Sequence, residues 1–175
     1  FAPASDGGVL APGMLPFWTA LAAFLILGEK LDQIRRVGLF VILIGALLVG
    51  LWQILFNSDE GVWRGHILFL IGSGLFAVYS VIFRQSGLTP LHGILIGLFW
   101  CTLFIIPILL LTGRVNFNNV SALDIGITIV IQSLIIGILA TILFNYGVRL
   151  IGASEMGAFG ALTPILAMLG GIIFL

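Results

Sequence analysis

Six stretches of the chain are apolar for the thickness of a bilayer, and short polar connectors separate them. The stretches are residues 9–27, 37–56, 67–83, 91–111, 125–148 and 156–175. Crossing the ~30 Å hydrocarbon core takes about 20 helical residues, so each run is long enough to span. The runs lack the apolar/polar alternation of barrel strands, and lipid offers backbone groups no hydrogen-bond partner, so the pattern predicts helices. The connectors, residues 29–36, 57–66, 84–89, 113–124 and 149–154, hold nearly every charge. Thr89-Pro90 reads as an N-cap followed by a first helical residue, and Gly113 and Gly152 read as helix stops.

Alternate connectors share a side of the membrane. The first, third and fifth carry Lys30, Arg35, Arg36, Arg84 and Arg149, whereas the second and fourth carry only Arg64 and Arg114. The positive-inside rule therefore makes the first set cytoplasmic, and Trp52 and Trp63 bracket the second connector as headgroup anchors would.

Composition sharpens this picture. The chain is 61% hydrophobic and 8% charged, against about 45–50% and about 25% in a globular domain, which leaves too little polar surface for a soluble fold. Its zero net charge removes the electrostatic footprint of a nucleic-acid binder. Cys101 is the only cysteine, so neither a disulfide framework nor a cysteine metal site is expected. The sequence contains no catalytic constellation, phosphate loop, metal-ligand cluster or buried carboxylate pair, and no cofactor is expected. His66 and His92 stand at expected helix starts, where an ordinary interfacial role outweighs a ligand role.

The first and last spans resemble each other. Pro16-Phe-Trp-Thr-Ala-Leu21 falls on Pro164-Ile-Leu-Ala-Met-Leu169, and upstream Ala4-Ser5-Asp6 matches Ala153-Ser154-Glu155 with one residue of slippage. Five crossings separate them, so the equivalent helices run in opposite directions, as in inverted-repeat transporters with a site near the midplane. The segments Ala2-Pro3-Ala4-Ser5, Leu10-Ala-Pro-Gly13, Leu15-Pro16 and Leu27-Gly28-Glu29-Lys30-Leu31 resemble the end of the first repeat of the drug/metabolite transporter superfamily, EamA-type branch. Tyr79-Ser80-Val-Ile-Phe-Arg84 resembles the opening helix of that family's second repeat, and Gly152-Ala153-Ser154 through Pro164 its fourth.

The resemblance implies an all-α integral membrane protein, with these six helices being part of a ten-helix bundle of two inverted five-helix repeats. Helices four to nine would be covered, with residues 1–56 closing the first repeat and residues 57–175 opening the second. It further implies a multi-pass carrier, in a bacterial inner membrane, that moves a small organic metabolite by alternating access; amino-acid-like, nucleoside-like and drug-like substrates all suit a neutral lining. A membrane scaffold or receptor, and a membrane enzyme with its site elsewhere, are the rival classes. The expected partners are the lipid bilayer, a small-molecule substrate and, through exposed interior helix faces, a second copy in a homodimer.

No span carries an Asp, Glu, Lys or Arg near its middle, so no proton relay is visible. Polar residues instead form stripes: Ser73, Ala77, Ser80 and Arg84 in the third span, and Ser133, Gly137 and Thr141 in the fifth. Such stripes more often mean helix packing than cavity lining. With Trp18, too deep for a headgroup anchor, Ser73, Ser80, Ser133 and Thr141 are the candidates for a substrate cavity. Gly93 and Gly97 in the fourth span are read as a packing face. Pro16 and Pro164 each free the carbonyl four residues earlier, on Pro12 and Gly160, exposing backbone that lipid cannot satisfy. They are hinge candidates, with Asp6 and Glu155 as gate candidates at the starts of the two helices, where ordinary capping competes. Pro107 reads as a simple kink, and Asn119-Val120-Ser121 matches a glycosylation acceptor.

Overall fold

In the computed structural model, which describes the backbone of residues 4–56, 61–113 and 120–174, the chain is built of helices and has no strand among the described residues. Helices α1 (Ala4–Leu27), α2 (Gln33–Phe56), α3 (Val62–Ser86) and α4 (Pro90–Thr112) follow the first four apolar runs, each beginning at or up to five residues before its run. The fifth run is one long helix with a change of pitch: α5 (Ala122–Thr128), a π-helical stretch (Ile129–Ala140) and α6 (Thr141–Ile151). The sixth run is divided into α7 (Ala153–Gly160) and α8 (Thr163–Phe174).

The helix ends follow their local chemistry. Thr89 caps α4 by accepting the His92 amide at 3.3 Å, Pro90 takes the first position where no donor is needed, and Gly113 stops the helix at φ 59°. Ser121 caps α5 through the Asp124 amide. Gly28 ends α1 at φ 67°, its amide reaching back to the Phe24 carbonyl at 3.1 Å. Gly152, at φ 108°, separates α6 from α7.

Two features were not expected from periodicity. The β-branched run Ile127–Ile131 precedes and enters the π-helical stretch. Such side chains crowd the i+3 and i+4 neighbours of an α-helix, which a wider turn relieves. The Thr141 hydroxyl donates to the Ile136 carbonyl, five residues back, at 3.4 Å. The sixth run breaks before Pro164, where the amides of Ala161 and Leu162 turn back three residues, to Ala158 and Phe159, instead of four.

The chain forms two compact units. The first comprises residues 1–85 and 148–175, and the second residues 86–147. In the first unit α1 is the central helix. It packs on α2, α7 and α8, and it buries Leu10, Met14, Leu15, Thr19, Ala20 and Ala23. In the second unit the side chains of α4 and of the long fifth helix are apolar and largely exposed, among them Phe99, Trp100, Phe104, Leu110 and Leu111 on α4. Four helical stretches, Leu10–Leu27, Val62–Ser86, Pro90–Thr112 and Ala122–Ile151, are long and apolar enough to cross a membrane. Exposed apolar surface of this extent would aggregate in water and is the ordinary outer surface of a membrane helix.

Candidate functional site

Helix α1, which carries Pro12 and Pro16, is packed directly against α7, which ends four residues before Pro164. The contact depends on small residues of α7. A Cβ built on Gly157 would collide with the Thr19 side chain, so only glycine lets α1 come this close. Three residues further, a Cβ on Gly160 would stand 3.1 Å from Leu15 Cδ2 and 3.3 Å from the Pro12 carbonyl oxygen. That oxygen is the acceptor which Pro16 leaves without its helical donor, while Gly160 carries the carbonyl that Pro164 leaves free. Both backbone lesions of the sequence repeat thus meet at one crossing. Thr19 is fully buried there, and its hydroxyl donates to the carbonyls of Leu15 and Pro16 at 2.9 and 3.1 Å, satisfying itself on its own helix. Pro16 is buried and Pro164 half-buried.

At one end of this unit the charges pair across elements. Arg35, in the first turn of α2, bonds Glu155 of α7 at 2.5 Å, and Arg84 of α3 bonds Glu29, in the α1–α2 connector, at 2.7 Å. Gly152 ties the two pairs together. Its missing Cβ would lie 2.6 Å from Glu155 Oε2 and 3.2 Å from the Arg84 guanidinium carbon, so both charged groups close over the bare glycine. Burial pushes the Glu155 carboxyl upward. That effect is outweighed by the Arg35 hydrogen bond, a backbone hydrogen bond and the charges of Arg35 and Arg84, which leave it below the ordinary value of 4.5. These groups come from the first, third and fifth connectors or their margins, which the basic-residue count placed on one side.

Trp18, halfway along α1, lines two clefts. One, of about 420 Å³, lies against α2 and α3 and is lined by Met14, Phe17, Trp18, Leu47, Trp63 and His66 among others. The other, of about 500 Å³, is walled by Trp18, Leu21, Leu25, Ile67, Gly74 and Val78. Both are almost wholly apolar, and Gly74 faces the Trp18 ring, where an added Cβ would stand in ordinary contact 3.6 Å from it. The Trp18 indole nitrogen is buried without a hydrogen-bond partner, as is the Ser154 hydroxyl.

The other cavity candidates are placed as follows. Ser73 is buried and donates to the Ala11 carbonyl of α1 at 2.6 Å, and Ser80 is buried and donates to Phe76 of its own helix at 2.8 Å. Their hydroxyls satisfy backbone. Ser133 is exposed in the π-helical stretch, while Thr141 is half-buried at the end of that stretch. Ser133 and Thr141 belong to the second unit, so the candidates are not gathered at one place within a unit. Asp6 lies in α1, but its side chain, like Asn119 of the acceptor match, is outside the described residues. Sequence reasoning missed Thr19 and Asn145, both fully buried, counted Arg35 only among the basic residues of its connector, and read His66 as an interfacial residue at a helix start, where the structure buries it. Thr19 carries a signal in the sequence, since a helical threonine can bond the carbonyls three and four residues back, here Pro16 and Leu15. The partner of Arg35 lies 120 residues away and leaves none.

The helices and their exposed apolar faces define a multi-pass integral membrane protein. The sequence model of the EamA-like transporter family matches residues 63–175, and the chain belongs to that family. It is similar to the uncharacterized transporter YyaM of Bacillus subtilis (strain 168), with 28% identity over 173 residues. The match covers 93% of this chain and 54% of that protein, so the chain spans about half the length of this curated relative. No solved structure matches it.

Proposed function

We propose that this protein is a secondary carrier that moves a small organic metabolite across a bacterial inner membrane by alternating access between inverted halves. Residues 1–56 close the first repeat and residues 57–175 open the second. The observation that carries the reading is the α1–α7 crossing, where the Pro12 carbonyl lies against Gly160. Two antiparallel copies of one motif meet there through their weakest backbone, which suits a pivot. Irregular backbone at membrane depth is tolerated where protein or a cavity covers it. The similarity to a transporter and the family membership support the same reading.

In this mechanism the Arg35–Glu155 and Arg84–Glu29 pairs form the gate on the basic, cytoplasmic side. Closed, they hold α2 and α3 to the start of α7 and to the α1–α2 connector; parting them opens the pathway on that side. Trp18 supplies a flat apolar wall and an indole N–H with no protein acceptor, so a substrate with a planar or apolar body and one acceptor suits it. Ser73, Ser80, Ser133 and Thr141 take lower rank as lining residues because Ser73, Ser80 and Thr141 bond backbone. Catalysis has no part in this reading. Uptake by the full-length protein in proteoliposomes, against a panel of amino acids, nucleosides and amphipathic drugs, tests it. Saturable uptake of one class is the expected result, and only leak-level flux for every compound would overturn it.

A further inference from the structure

The charges at the basic end of the first unit are unevenly used. Arg35 and Arg84 are held by carboxylates, whereas the side chains of Lys30 and Arg36 form no ion pair or hydrogen bond among the described residues. These two free cations line a cavity of about 420 Å³ together with Phe24 and Leu31. The local backbone sets it up. Gly28 turns the chain out of α1 with its left-handed conformation, and Asp32 restarts it by accepting the Gln33 amide on its side chain at 2.7 Å and the Arg36 amide on its carbonyl at 3.0 Å. Lys30 therefore stands in the connector and Arg36 in the first turn of α2, and Leu31 lines the gap with them.

The carboxylates nearby do not fill the gap. Glu29 is taken by Arg84, and Asp32 faces the Gln33 amide and makes no ion pair with Arg36. Away from the connector the surface turns apolar at once, with Phe24 and Leu25 on α1 and Val37, Phe40 and Val41 on α2 all exposed. The cavity thus lies where an apolar, lipid-facing flank meets two unneutralised cations. Its matching ligand has a phosphate oxyanion at one end and hydrocarbon at the other.

We propose that Lys30 and Arg36 hold the headgroup phosphate of an anionic phospholipid, whose acyl chain runs down the exposed flank from Phe24 toward Phe40. A basic pocket between helices on the membrane's anionic face is suited to such a headgroup, each cation near that surface strengthening binding roughly fivefold. A free phosphate would satisfy the cations and leave the apolar flank without purpose. The site does not depend on what the protein carries, and it stands whether or not uptake is observed.

Native mass spectrometry of the full-length protein, released from mixed phosphatidylcholine and phosphatidylglycerol micelles, is the direct test. Wild type is expected to retain phosphatidylglycerol selectively. Lys30→Gln and Arg36→Gln should each weaken retention roughly fivefold and together about twentyfold or more, while Arg64→Gln, at the other end of α3, should leave it unchanged. Circular dichroism of all variants keeps loss of fold apart from loss of lipid. A photo-reactive phosphatidylglycerol analogue should label at Phe24, Leu31 or the start of α2. Equal retention by the double variant and wild type, indifference between the two lipids, labelling confined to other helices, or displacement by soluble glycerol phosphate as effective as by lipid would each overturn the proposal.

Discussion

Helix α1 and the α7–α8 pair carry the same lesion and respond to it differently. Pro16 and Pro164 align in the repeat, and each removes a helix hydrogen bond. Yet α1 runs unbroken from Ala4 to Leu27, while the second copy breaks between Gly160 and Thr163. The residue four places earlier decides. In the first copy it is Pro12, whose ring already fixes φ near the helical value of about −65°. In the second it is Gly160, the residue with the most backbone freedom and a helix propensity about 1 kcal/mol below alanine. A proline in a membrane helix is therefore a place where a break can form, and the residue beneath it determines whether one does. The first copy is a continuous helix, and the second is a broken one packed against it.

The comparison breaks most completely at Gly157. Gly157→Leu should prevent α7 from seating on α1, because even a Cβ collides with Thr19; overpacking of this kind typically costs about 1–3 kcal/mol, occasionally more. Monodisperse yield and thermal melting in detergent will read it. Gly157→Ala should be milder and should be partly rescued by Thr19→Ala, which removes the colliding atoms. Strict additivity of the two changes would show that the helices do not meet there.

The joint itself is next. Pro164→Ala should restore the bond to Gly160 and begin to fuse α7 with α8, slowing uptake while sparing expression; with Gly160→Ala as well, fusion should be complete. Pro16→Ala should have the smaller effect, since α1 is already continuous. Cysteine accessibility from each side sharpens the contrast: Pro16→Ala should alter external exposure of the pathway and Pro164→Ala cytoplasmic exposure. Wild-type uptake and identical profiles in both would reduce the prolines to static kinks.

What the sequence made legible follows from the range of each interaction. Six spans, the caps at Thr89 and the stops at Gly113 and Gly152 depend on bilayer thickness and on neighbours within four residues, so they can be read directly. The break at Gly160 was half legible, because both copies had the proline and only the difference between Pro12 and Gly160 separated them. The polar stripes were harder to read, since a hydroxyl on a helix can line a cavity or bond backbone; Ser73 bonds α1 and Ser80 its own helix. The ion pairs were illegible, because Arg35 could equally have met several carboxylates and its choice of Glu155 depends on how α2 and α7 come together.

Glu155 carries the smallest expected effect. It is engaged by Arg35, with Arg84 close behind. Both partners of the Arg35–Glu155 pair are more than one-third exposed, so Glu155→Gln should change stability by no more than about 1 kcal/mol. Its consequence should appear instead in the balance of open and closed states, as greater labelling of a cysteine at Ser86 in a background lacking Cys101. The pH dependence has a definite sign. The folded-state pKa is depressed below 4.5, so the pair's contribution is fully present above that value and is lost as pH falls through the lowered one. Between about pH 8 and about pH 5 the accessibility of wild type should therefore be flat, with the gap to Glu155→Gln constant. In stronger acid wild type should converge on the variant as the carboxylate takes its proton. Convergence already near neutrality would mean that Glu155 is not held ionised by Arg35 and that the cytoplasmic gate rests on Arg84–Glu29 alone.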